Sequence, residues 1–118
     1  MATGIKTQAG MVMKHLWTNS SPTTEVASGT KIEVDLTNYD AVMIYYMAAT
    51  DVQRVSSLIC LKNSTQHILM TVDPGTTAVR ARYATVADDG VTMGPGYSNT
   101  TNAKKHIIPY KIYGIKGL

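Results

Sequence analysis

The chain has 118 residues, of which 44% are hydrophobic, enough for one domain with a core and too many for a disordered segment. Its net charge is +3 and no Lys/Arg run exceeds Lys104-Lys105, which argues against the dense basic footprint of a nucleic-acid partner. Cys60 is the single cysteine, so no intrachain disulfide is possible, and no stretch approaches the ~18 apolar residues of a membrane helix.

The charge is unevenly spread. Residues 1–59 carry four bases against five acids, and residues 60–118 carry seven bases against three acids. There are seven Tyr, one Trp and no Phe, so most aromatic side chains have a polar tip that needs water or a partner.

Met1 to Gly10 is polar and lacks the apolar region of a signal peptide. Ile5 is its one sizeable anchor beyond Met1, so residues 1–10 read as a flexible leader or tether that gains order through a partner. Residues 11–118 read as a single domain. The first strand is expected from Met11 to Trp17, followed by a Ser/Thr-rich loop from Thr18 to Thr30. Lys31-Ile32-Glu33-Val34-Asp35-Leu36 alternates charged and apolar residues, as a half-buried strand does. After the polar turn Thr37 to Asp40, Ala41 to Ala48 is apolar on both faces, which predicts a central strand covered twice.

Val52 to Leu61 and Gln66 to Val72 read as a hairpin around Lys62-Asn63-Ser64-Thr65. Asp73-Pro74-Gly75 is a turn. Val79, Ala81, Tyr83 and Thr85 then alternate with Arg80, Arg82, Ala84 and Val86, and Asp88-Asp89-Gly90 signals a second hairpin into Val91-Thr92-Met93. Gly94 to Lys105 is expected to be a loop. The last strand, His106 to Ile115, contains Pro109, which has no N–H and calls for a sheet edge or a bulge. Its alternation sets Ile108, Tyr110 and Ile112 on the core side. The pattern predicts an all-β, antiparallel, jelly-roll-like β-sandwich of about eight short strands with no substantial helix.

Chemistry-bearing motifs are sparse. His15, His67 and His106 have no metal-ligand spacing, and Asp88-Asp89-Gly90 lacks the alternating ligands of a calcium loop. No cofactor or metal is expected. There is no nucleophile elbow or phosphate-cradling glycine pattern, and Cys60 in Leu58-Ile59-Cys60-Leu61 reads as a buried hydrophobe. The reading is therefore a non-enzyme. Arg80 and Arg82 share one strand face, expected to be a solvated basic face or an anion site. Tyr97, beside Asn99, Thr100, Thr101 and Asn102, suits sugar contacts, as do Tyr110 and Tyr113.

Three phrases point to a setting. They are His15-Leu16-Trp17-Thr18-Asn19-Ser20-Ser21-Pro22-Thr23, the run Val34 to Ile44 (VDLTNYDAVMI), and Ile107 to Gly117 (IIPYKIYGIKG). Together they resemble small virion-associated proteins of tailed bacteriophages. The resemblance implies a structural protein of the particle surface (a capsid decoration, head fibre or tail component) that self-associates and meets other virion proteins. It implies location on the virion after synthesis in the bacterial cytoplasm. The alternative is a carbohydrate-binding module that attaches to a host-surface glycan. Between Val52 and Lys105 the likeness is one of strand pattern alone.

Overall fold

The structure, a computed structural model, describes residues 10–48, 55–63, 66–72, 78–99 and 107–118. The expectations for the leader, for Val52 to Arg54, for the Asp73-Pro74-Gly75 turn, for Thr100 to Asn102 and for His106 lie outside these residues.

Eight antiparallel strands form two four-stranded sheets, and the described residues contain no helix. One sheet holds β1 (Val12–Thr18), β8 (Ile107–Lys116), β3 (Ala41–Ala48) and β4 (Val55–Leu61), in that order. The other holds β2 (Lys31–Glu33), β7 (Gly90–Ser98), β6 (Val79–Ala87) and β5 (His67–Val72). The outer pairs β1–β8 and β2–β7 nest as in a jelly roll, while the inner strands pair β3 with β4 and β5 with β6. Alternation decides which residues meet between the sheets. Val42 and Ile44 from β3, Leu69 from β5, Val86 from β6, Val91 from β7 and Ile112 from β8 are all buried in one core.

Four expectations are corrected. First, β4 and β5 are not a hairpin: they belong to different sheets. β4 pairs along its whole length with β3, and Asn63, at φ 58°, helps turn the chain over to the second sheet. Second, Gly94 to Ser98 is strand rather than loop. The register of β7 against β6 slips between the Arg82–Gly96 and Ala84–Met93 pairs, so Gly94 and Pro95 form a bulge that accommodates the proline.

Third, the second strand is short, ending at Glu33, although Leu36 beyond it is buried. Fourth, the core-side alternation of Ile108, Tyr110 and Ile112 breaks within β8, a central strand flanked by β1 and β3. Its proline is tolerated by the bulge branch of the expectation: Tyr45 pairs with Lys111 and Tyr46 with Pro109, which leaves Tyr110 as the extra residue. That extra residue resets the alternation. Ile107, Pro109, Ile112 and Gly114 lie on the inward face of β8, and Ile108, Lys111, Tyr113 and Ile115 on the outward face.

The three phrases that carry the resemblance come together here. The Asn19 side chain donates to the Pro109 carbonyl at 2.9 Å, and its backbone N–H donates to the Tyr110 carbonyl at 2.8 Å. The Asp40 carboxylate accepts from the N–H groups of Gly117 at 2.8 Å and Leu118 at 3.3 Å. A Cβ on Gly114 would stand 2.6 Å from Cδ1 of the Tyr39 ring, so glycine lets that ring lie flat on β8. The phrases are thus a clasp that closes the first sheet around β8.

Two outcomes follow from the clasp. Gly114→Ala should cost about 1–3 kcal/mol by overpacking against Tyr39, read from urea unfolding. Deleting residues 107–118 removes a central strand and four large, fully buried isoleucines, and the truncated chain should show no cooperative thermal transition.

Candidate binding surface

Arg80 and Arg82 are 5% and 3% exposed, so their strand face is not a solvated basic face. The reason lies further along β6. Arg80 and Arg82 share a side with Ala84 and Val86, and those two residues are core. Burying Ala84 and Val86 therefore takes the arginines inward, where the guanidinium of Arg82 must find acceptors. Its Nε donates to the Gly94 carbonyl at 2.8 Å, one terminal nitrogen to the Ile107 carbonyl at 3.1 Å, and the other to the Val26 carbonyl. Burial lowers the Arg82 pKa, and Glu25 opposes that shift. With its nitrogens committed to backbone carbonyls, this guanidinium is a structural tie and not an anion site.

The consequence is an apolar outer face on the second sheet. Ile68, Met70 and Val72 of β5 point outward opposite Tyr83, Ala81 and Val79 of β6, and Ala81 stands opposite Tyr97. Ile68 is 50% exposed, Val72 59% and Tyr97 60%. A shallow cavity of about 310 Å³ opens here, walled by Ile68, Met70, Tyr83, Pro95 and Tyr97. The outer face of the first sheet is apolar too. On that side Met47 and Ile108 are fully buried and Met43 is half-buried, and Val55, Ile59 and Leu61 of β4 stand exposed.

The tyrosines do not converge. Tyr97 is on the outer face of the second sheet. Tyr113 is on the outer face of the first, its ring 5.3 Å from His15 and 5.5 Å from Tyr45. Tyr110 is the bulge residue, with the Lys111 ammonium 5.2 Å from its ring centre. Tyr83, which adjoins Tyr97 in the cavity, went unsingled in the sequence because the arginine face was taken as the outer one. The Asn99 side-chain amide oxygen Oδ1 accepts from the Val79 N–H at 2.8 Å.

His15 and His67 sit on β1 and β5, edge strands of different sheets. The His15 Nε2 is 2.6 Å from the Thr18 hydroxyl, but both residues are exposed on the strand rather than set in a cleft. The His67 Nε2 meets the Leu61 carbonyl at 3.1 Å. Cys60 is fully buried, and desolvation pushes its thiol up to about 12. Compared with known proteins, the chain matches no family model, no curated protein and no solved structure.

Three measurements check this account. Arg82→Met strands one buried and two part-buried carbonyls and should cost roughly 3 kcal/mol in urea unfolding, with Arg82→Lys recovering only part. Cys60 should resist iodoacetamide at pH 8 until denaturant is added. Because its thiol pKa is raised on folding, the associated stability is intact below the unfolded pKa of about 8.5 and declines as pH rises toward 12. Cys60→Ala should remove that part of the alkaline loss in melting temperature.

Proposed function

We propose that the chain is a non-enzymatic structural module of a tailed-phage particle surface, a capsid decoration, head fibre or tail component, that self-associates. The observation that carries this reading is the exposed apolar side chains along β4 of the first sheet and on the outer face of the second. Val55, Ile59 and Leu61 on one and Ile68, Met70, Val72 and Tyr97 on the other stand exposed. Exposed apolar side chains gathered on a sheet face suit a domain that works against neighbours. The particle setting rests on the resemblance of the three phrases, which here act as the clasp of the fold. Under this reading the outer faces meet other virion proteins or further copies, and the clasp keeps the module rigid.

A second reading is supported by Tyr97 and Tyr83 flanking the shallow cavity: a host-glycan site using aromatic stacking. The wall is nearly devoid of free polar groups, since Arg82 is committed to carbonyls, so the site has little with which to orient hydroxyls. For this reason the assembly reading is preferred.

The test of the particle setting is direct. An antibody to the chain should label intact, gradient-purified particles of the phage whose genome carries the gene. A chain abundant in the lysate and missing from purified particles would overturn it. A glycan array separates the second reading: signal lost in Tyr97→Ala favours sugar binding, and a blank array leaves assembly.

A further inference from the structure

A sheet edge is a row of unpaired backbone donors and acceptors, and proteins that remain single blunt their edges with charge, proline, bulges or brevity. This sandwich has four edges among the described residues, β1, β4, β2 and β5. Three are blunted, each by a different device. β1 carries Lys14 and a register slip between His15 and Trp17, where Leu16 is the extra residue. β2 is 3 residues long and carries Lys31 and Glu33. β5 is plugged from the other sheet: the Tyr46 hydroxyl donates to the Met70 carbonyl at 2.9 Å and accepts from the Met70 N–H at 3.2 Å.

The fourth edge is touched only at its end, where the His67 ring meets the Leu61 carbonyl at 3.1 Å. β4, Val-Ser-Ser-Leu-Ile-Cys-Leu, is 7 residues long, without charge, proline or bulge, and it pairs in unbroken register with β3. Its outward side chains Val55, Ile59 and Leu61 are exposed.

We propose that β4 pairs antiparallel with β4 of a second copy, joining two first sheets into one continuous eight-stranded sheet about a two-fold axis. This deepens the self-association proposed above and rests on it. Charge selects the occupant. A two-fold axis sets each residue near its own symmetry mate, so a charged strand repels its copy, whereas β4 offers no charge to repel. With Leu58 on the axis, Val55 faces the copy's Leu61 and Ser57 faces the copy's Ile59. Outward residues then stay with outward residues, and the buried Cys60 stays on the inner side opposite Ser56. This register extends the exposed apolar row of β4 across the axis.

Size sets the strength. A strand pair about 23 Å long falls short of the ~1,200 Å² at which stable interfaces begin. The isolated dimer should therefore be weak and strengthen where copies are held close on an assembly.

Sedimentation equilibrium of the full chain should show monomer at about 1 µM and dimer at several hundred micromolar, as for a small interface. The S57K/I59K variant places ammonium groups opposite one another across the axis, and it should stay monomeric with an unchanged melting temperature. V12K, which adds charge to the already blunted β1 at an exposed position, should dimerise like the unmodified chain. In the unmodified chain, β4 amides should gain hydrogen-exchange protection at high concentration and lose it on dilution. A dimer that survives S57K/I59K, or β4 protection that ignores concentration, overturns the β4 pairing while leaving self-association through a sheet face. An unmodified chain that stays monomeric throughout overturns self-association as well. That result would not touch the particle setting, which the antibody experiment tests.

Discussion

The guanidinium of Arg82 lies where four parts of the chain must agree. It reaches the bulge of β7 at Gly94, the first residue of β8 at Ile107, and the loop before β2 at Val26, all from the inner face of β6. Each of those carbonyls lies beside irregular backbone or at a strand start, where ladder partners run short. The bulge is there because Pro95 brings no N–H to a regular ladder. Burying a guanidinium costs several kcal/mol, and three charge-assisted bonds offset that cost without clearly exceeding it. The net gain is therefore modest, but the loss on removing either side is large. An apolar residue at position 82 fills the space and leaves three acceptors dry. In that sense the arginine sets how the sheets are stacked more than how strongly they cohere.

The inward turn of Arg82 also sets the outside of the molecule. A strand has two faces, so Val79, Ala81 and Tyr83 go outward when the arginines go in. The exposed apolar patch of the second sheet is thus the counterpart of its buried charge. The local pattern of residues 79–83 reads inside out, yet it is consistent with Ala84 and Val86 four residues on. Two small core residues and a set of carbonyls were enough to reverse what charge alone implied.

Much of the fold was legible in the sequence for physical reasons. Ala41 to Ala48 spans β3 because an apolar run on both faces has one stable place, the middle of a covered sheet. The Asp88-Asp89-Gly90 turn was legible because Gly90 sits at φ +145°, with Ile32 oxygen where a Cβ would be. What was not legible depends on contacts distant in sequence. The crossover of β4 to β5 is invisible locally, since a five-residue polar link serves a hairpin or a change of sheet equally. The strand through Gly94-Pro95-Gly96 reads as a loop until the Arg82 side chain is there to satisfy its bulge. The surface tyrosines were legible as polar-tipped aromatics, but their separation onto two faces follows from bulges at Tyr110 and Gly94-Pro95 that no local pattern announces.

The division of labour in the chain explains why its most recognisable phrases say least about what it touches. Asn19, Tyr39, Asp40 and Gly114 each meet a backbone or ring of the same sheet, so their chemistry is spent within the molecule. Surfaces available to partners are built instead from Val, Ile, Leu, Met and Tyr on β4, β5 and β6, residue types that many sequences supply. Binding by such surfaces depends on area and shape rather than on a few irreplaceable atoms. A module of this kind holds its fold through a small polar clasp and a buried arginine, while its contact faces tolerate exchange among apolar side chains of similar size. The constraint that remains on the outside is negative: a lysine on β1, the brevity of β2 and the Tyr46 hydroxyl on β5 stand in the way of edge pairing, and β4 carries no charge.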